Sequence, residues 1–101
     1  MEFNGGPRLE VRPVEHTALA DGRPLTLTVR ELGQNLELAQ NPERVLTREE
    51  LYARIWKRAY RKSDRSVDVY VGRLRAKLER ALPGHAYIHT HTGIGYRFSP
   101  E

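Results

Sequence analysis

The run Asp64-Arg65-Ser66-Val67-Asp68-Val69-Tyr70-Val71-Gly72-Arg73-Leu74-Arg75-Ala76-Lys77-Leu78 carries two kinds of side chain at helical spacing. Val67, Val71, Leu74 and Leu78 recur at steps of four, three and four, which puts them on one stripe of an α-helix. Ser66, Val69, Tyr70, Arg73, Lys77 and Arg80 gather on roughly the opposite side. A helix of this kind buries its apolar stripe and turns cations, hydroxyls and small apolar groups outward. Those groups suit the major groove of duplex DNA, where arginine offers a bidentate donor fork to guanine and valine can meet a thymine methyl. Arg73 and Val69 are therefore the candidates for reading bases. Arg65, Ser66, Tyr70, Arg75 and Lys77 are candidates for the DNA backbone, where contacts set register and carry no sequence information directly. Arg75 lies nearer the buried stripe, where pairing with an acid is an alternative. Asp68 is disfavoured beside a phosphate and reads as an internal ion-pair partner.

The plainer alternative is a solvated amphipathic helix whose cations serve solubility. The charge distribution weighs against it. The 101 residues include 17 Lys and Arg against 13 Asp and Glu, a formal net charge of +4. Most of the cations stand between Arg54 and Arg80, opposed there only by Asp64, Asp68 and Glu79, whereas most of the acid precedes residue 51. A basic domain of this size has nucleic acid as its leading partner class, ahead of an anionic membrane. Hydrophobic residues, at 39%, suffice for the small core of one domain. There is no cysteine, hence no disulfide, which fits a reducing cytoplasm. No apolar run approaches a membrane span or a signal-peptide core, so a cytoplasmic protein without a membrane partner is expected. Residues 1–7 read as linker or cloning residues and 8–101 as one domain.

The elements that must position the basic helix are legible in outline. Leu9 to Arg12 and His16 to Ala20 alternate as half-buried strands do, and Asp21-Gly22 is a two-residue hairpin signal. A third strand is expected over Leu25 to Leu27. Thr28-Val29-Arg30-Glu31 reads as a capping box that opens a helix to about Asn41, with Val29, Leu32, Leu36 and Ala39 as its apolar stripe. Gly33 and Asn35 weaken that helix. Thr47-Arg48-Glu49-Glu50 opens a second helix through Trp56, with Leu51, Ile55 and Trp56 packing inward. A loop leads to the third helix, from about Ser66 to Leu82, stopped by Pro83-Gly84. Two β-rich runs around Thr92-Gly93-Ile94-Gly95 close the chain as a hairpin. The order β-β-β-α-α-α-β-β predicts an α+β fold: a winged helix-turn-helix with an N-terminal antiparallel sheet, three helices and a C-terminal hairpin wing. In that arrangement the third helix enters the major groove and the wing reaches an adjacent groove.

Three segments together, Thr47-Arg48-Glu49-Glu50-Leu51…Ile55-Trp56, the Arg65–Leu78 run, and Ile88-His89-Thr90-His91-Thr92-Gly93-Ile94-Gly95-Tyr96-Arg97-Phe98, resemble the C-terminal effector domain of OmpR/PhoB-type response regulators. The likeness covers about residues 8 to 99. It implies a transcription regulator of the two-component, phosphorelay kind that binds double-stranded DNA, with pairing on direct-repeat sites. It also implies a receiver domain and a sensor kinase in the full-length protein. By the same resemblance Arg73 matches a base-contacting arginine, Trp56 a position whose indole N–H donates to phosphate, and Thr90 a backbone contact. The wing residues are Thr92, Gly93 and Arg97. Thr92 stands where the family commonly carries a minor-groove arginine, so weaker wing binding is expected, with protonated His89 or His91, or Arg97, as substitutes. The loop 57–64 corresponds to a segment that can touch RNA polymerase.

Other chemistries fare poorly. His89 and His91, with His85 near, are too few ligands for zinc, so no metal site is expected. No nucleophile stands beside a histidine and an acid, no glycine loop cradles a phosphate, and no cofactor is implied, so an enzyme is not expected. The alternative from a different class is a winged-helix module that uses the same basic face on an acidic protein or on RNA.

Overall fold

Two short antiparallel sheets bracket three helices, and the order of elements follows from a few local signals. The computed structural model describes residues 3–4, 8–61 and 63–99. Its elements are β1 (Phe3–Asn4), β2 (Leu9–Arg12), β3 (Thr17–Ala20), β4 (Arg23–Pro24), α1 (Val29–Ala39), β5 (Val45–Thr47), α2 (Arg48–Trp56), α3 (Ser66–Ala81), β6 (Ile88–His91) and β7 (Gly95–Phe98). The first sheet runs β1-β2-β3-β4 and the second β5-β7-β6. The expected α+β winged arrangement is present, with two strands more than the sequence suggested. One is β5, a three-residue strand with too little alternation to announce itself; it pairs with β7 and leads directly into α2. The other is β1, which lies within the 1–7 segment assigned to linker and pairs Phe3 with Val11 and Asn4 with Glu10.

The third strand also departs from expectation. Asp21 and Gly22 both take positive φ, 51° and 80°, which closes a two-residue turn and sets Arg23 opposite Ala20 at once. Pairing therefore falls on Arg23–Pro24 rather than on Leu25–Leu27. Leu25 still donates its N–H to the Ala18 carbonyl at 2.8 Å, and Leu25 and Leu27 pack on the core.

Both capping boxes are formed. Thr28 Oγ1 accepts from Glu31 N while Glu31 Oε1 accepts from Thr28 N, and Thr47 and Glu50 do the same for α2. Of the stripe that periodicity selected on α1, Leu36 and Ala39 are buried and Leu32 packs on the core, but Val29 is not part of it and three polar residues are. Val29 is 86% exposed, whereas Glu31, Gln34 and Asn35 are at most 1% exposed and Leu38 is fully buried. Specific polar bonds turn the helix this way. Glu31 accepts from Lys77 Nζ at 2.7 Å, and Gln34 Nε2 donates to the Val67 carbonyl at 3.1 Å. Asn35 gains nothing comparable: its Nδ2 and Oδ1 are buried with no hydrogen-bond partner among the described residues. A buried polar group left unmade costs about 1–3 kcal/mol. Asn35→Leu is therefore expected to raise stability by about 1–2 kcal/mol in chemical denaturation; a loss of stability would refute this account of the α1 interface.

The core joins α3 to everything else. Val67, Val71, Leu74 and Leu78 are all buried, as their spacing requires, and meet Leu9, Val11, Leu38, Leu51, Tyr87, Ile88 and Phe98 in one cluster. Tyr52, which the sequence did not mark as core, is buried as well.

Candidate nucleic-acid interface

With its apolar stripe pinned, α3 presents a fixed outward face. Its N-terminus is capped from outside the helix: Asp64 Oδ1 accepts from Ser66 N at 2.8 Å, while Arg65 makes no side-chain cap. The Ser66 bond holds the Asp64 carboxyl below its ordinary range. Along the outward face stand Arg65, Val69, Arg73 and Arg80, all exposed, with Val69 at 45%. The Arg73 guanidinium lies over the Tyr70 ring, 5.0 Å from its centroid. Tyr70 in turn meets Trp56 edge-on at 5.7 Å, and Trp56 stacks on Tyr52 at 4.9 Å. Trp56 is thus both core and rim, only 8% exposed but in contact with the ring that carries Arg73.

At the junction of α2, α3 and the wing, Asp68 is the hub. It accepts from Arg48 Nε at 2.7 Å and from the Tyr96 hydroxyl, and lies 3.7 Å from Arg65 Nη1. Partial burial alone would push its carboxyl up, but the Tyr96 hydroxyl and the Arg48 guanidinium outweigh that and hold it below the usual range. Tyr96 is pushed up, by burial first and by Asp68 second. The Tyr96 ring carries the guanidiniums of both Arg48 and Arg75 at 5.4 Å. Asp68 is therefore the internal ion-pair partner its sign suggested. Arg48 and Tyr96 were missed because their partners lie 20 and 28 residues away in sequence, and no local pattern announces such a pairing.

Two expected backbone contacts are turned inward instead. Arg75 donates through Nε and Nη2 to the Ile88 carbonyl at 3.2 and 3.0 Å, and through Nη2 to Thr90 Oγ1 at 2.6 Å. It fastens the wing to α3 and pairs with no acid among the described residues. Lys77 donates to Glu31 Oε1 at 2.7 Å and to the Thr26 carbonyl at 3.1 Å. The buried Glu31 carboxylate captures it. Thr90 is exposed, and its hydroxyl accepts from Arg75.

In the wing, strand alternation puts His89, His91 and Arg97 on one face and Ile88, Thr90, Tyr96 and Phe98 on the other. Arg97 Nη1 pairs with Glu43 at 2.7 Å, and Arg97 Nε donates to His91 Nε2 at 3.1 Å. Glu43 thus engages Arg97, the candidate substitute for the absent wing-tip arginine, within the protein. The tip itself, Thr92, Gly93 and Ile94, is exposed. Among the described residues no group of three His, Cys, Asp or Glu could hold a metal, and no helix is long and apolar enough to cross a membrane. In the 57–64 loop, Arg58 bonds the Tyr52 hydroxyl at 2.9 Å, Lys57 and Arg61 are exposed, and Lys62 lies outside the described residues.

The chain as a whole is similar to known proteins. A family model described as "Transcriptional regulatory protein, C terminal" matches residues 22–98. The transcriptional regulatory protein AfsQ1 of Streptomyces coelicolor is 39% identical over 84 residues, which cover 83% of this chain and 37% of that protein. The chain thus spans well under half the length of such relatives. The DNA-binding domain of CpxR from E. coli superposes with a TM-score of 0.83 at 29% identity, over 99% of this chain and 95% of that one. The RstA DNA-binding domain of Klebsiella pneumoniae, solved in complex with the RstA box, gives 0.81 at 28% identity, over 98% and 95%.

Proposed function

From the premise that the chain belongs to the C-terminal domain family of transcriptional regulatory proteins, the OmpR/PhoB-type effector domains, we propose that it binds double-stranded DNA sequence-specifically. In this reading α3 enters the major groove and the wing lies on an adjacent groove. The family is one of DNA-binding regulator domains, not of enzymes. One observation carries the proposal: the outward face of α3 keeps Arg73 without an acidic partner among the described residues, while Arg75 and Lys77, on the inward flank, are bonded within the protein. Arg73 donates to guanine and Val69 meets a thymine methyl. Arg65, Ser66, Tyr70, Trp56 and Thr90 contact the backbone, with Thr92 and Gly93 at the wing tip. Arg75 and Lys77 hold the reading helix and the wing in place.

In this reading the domain follows a receiver domain controlled by a sensor kinase, in the cytoplasm, and acts on paired direct-repeat sites; the greater length of its relatives leaves room for the receiver. The exposed cations of the 57–64 loop suit an acidic patch of RNA polymerase. Selection of bound duplexes from a random pool tests the reading. A recurring motif is expected, with affinity that falls as salt rises; an unordered set of bound sequences would overturn it.

A further inference from the structure

The cations of this chain divide by partner. Arg8, Arg44, Arg48, Arg54, Arg97 and Lys77 each hold a carboxylate. Arg30 holds none. Its guanidinium lies over the Trp56 ring at 4.6 Å from the centroid, and among the described residues it makes no hydrogen bond or ion pair. Its neighbour Glu31 is turned inward to Thr28 and Lys77, so it does not neutralise it. Arg30 also occupies the first turn of α1, where the helix dipole disfavours a cation. Helix stability therefore does not account for it.

Stacking on an aromatic ring engages the face of a guanidinium and leaves its edge N–H groups free. The ring beneath Arg30 is edge-on to Tyr70, and Tyr70 carries Arg73. Two unpaired arginines from different helices thus rest on one continuous aromatic step beside the reading face. We propose that Arg30 is a further DNA-backbone contact, a preorganised phosphate clamp contributed by α1. The inference rests on the DNA-binding reading above and extends the footprint beyond α2, α3 and the wing. Sequence reasoning missed it because Arg30 stands within a capping box, 26 residues from Trp56, where nothing local marks it.

The test uses a short mixed-sequence duplex titrated across salt with the wild-type chain, Arg30→Gln, Arg30→Lys and Arg73→Ala. Losing one phosphate contact lowers the salt slope by about 0.9, so the fall in affinity between roughly 50 and 200 mM salt should shrink about threefold in Arg30→Gln. Arg30→Lys, which keeps the charge, should retain the wild-type slope and decides the matter if Arg30→Gln fails to fold. Base preference should be unchanged in both. Because Trp56 is the sole tryptophan, its emission should respond to duplex in the wild type and respond less in Arg30→Gln. A folded Arg30→Gln with wild-type slope and emission response would overturn the clamp. If Arg73→Ala still relaxes base preference in that case, the DNA-binding reading survives; if the wild type itself shows no salt-dependent affinity, that reading falls too.

Discussion

Gly95→Ala should unfold the wing's attachment to the rest of the domain. A Cβ at position 95 would lie 2.0 Å from the Leu46 carbonyl oxygen and 2.8 Å from Thr47 Cα. Both are backbone atoms of β5, the strand paired with β7 through Leu46–Tyr96 and Thr47–Gly95. No side chain can rotate away, so β5 must move. Overpacking of this kind costs about 3 kcal/mol, which for a domain of this size lowers Tm by roughly 15 °C. The damage extends beyond the strand, because Thr47 is also the N-cap of α2 and Tyr96 bonds Asp68 on α3. Gly72→Ala, where nothing lies within 4 Å of the added carbon, is the matched control and should not destabilise. A Gly95→Ala variant that melts with the wild type would show that β5 does not lie where the structure puts it.

Lys77→Met should cost about 3 kcal/mol at neutral pH, because it leaves the buried Glu31 carboxylate without its cation. The pH dependence makes the cause identifiable. Burial acts to raise the Glu31 carboxyl, but Lys77 and the Thr28 N–H outweigh it, so the folded value lies below the unfolded one. The wild-type contribution is therefore fully present above the unfolded value, near about 4.3, and is lost as pH falls through the depressed folded value. Without Lys77, burial is opposed only by the Thr28 bonds, so the folded value rises. The variant's penalty is then complete at neutral pH and fades as acid protonates Glu31. Stability curves of the two proteins should converge as pH falls, read by urea denaturation at several pH values. Curves that stay parallel would mean that Lys77 acts by packing rather than by charge.

Local signals carried much of this fold. The capping boxes fixed the starts of α1 and α2, and the four-three-four spacing of Val67, Val71, Leu74 and Leu78 fixed the inward face of α3. What failed did so where a tertiary bond overrides a local pattern. Periodicity chose Val29 for the core of α1, but bonds from Lys77 and to Val67 bury Glu31 and Gln34 instead. The outward position of Arg73 and Val69 was legible because it is the complement of a clear apolar stripe. The inward capture of Arg75 by the wing was not, because its partners Ile88 and Thr90 are 13 and 15 residues away. Arg30 and Arg48 share that reason: each meets an aromatic ring supplied by another element.

The central claim is that Arg73 reads a base from the free face of α3. Duplexes selected by the wild type, with each position of the motif varied in turn, measure it most directly when the same panel is bound by Arg73→Ala. Discrimination at one guanine position should fall by about 1–3 kcal/mol, roughly tenfold or more, with the other positions unchanged. An Arg73→Ala protein that keeps wild-type preference at every position would contradict the account.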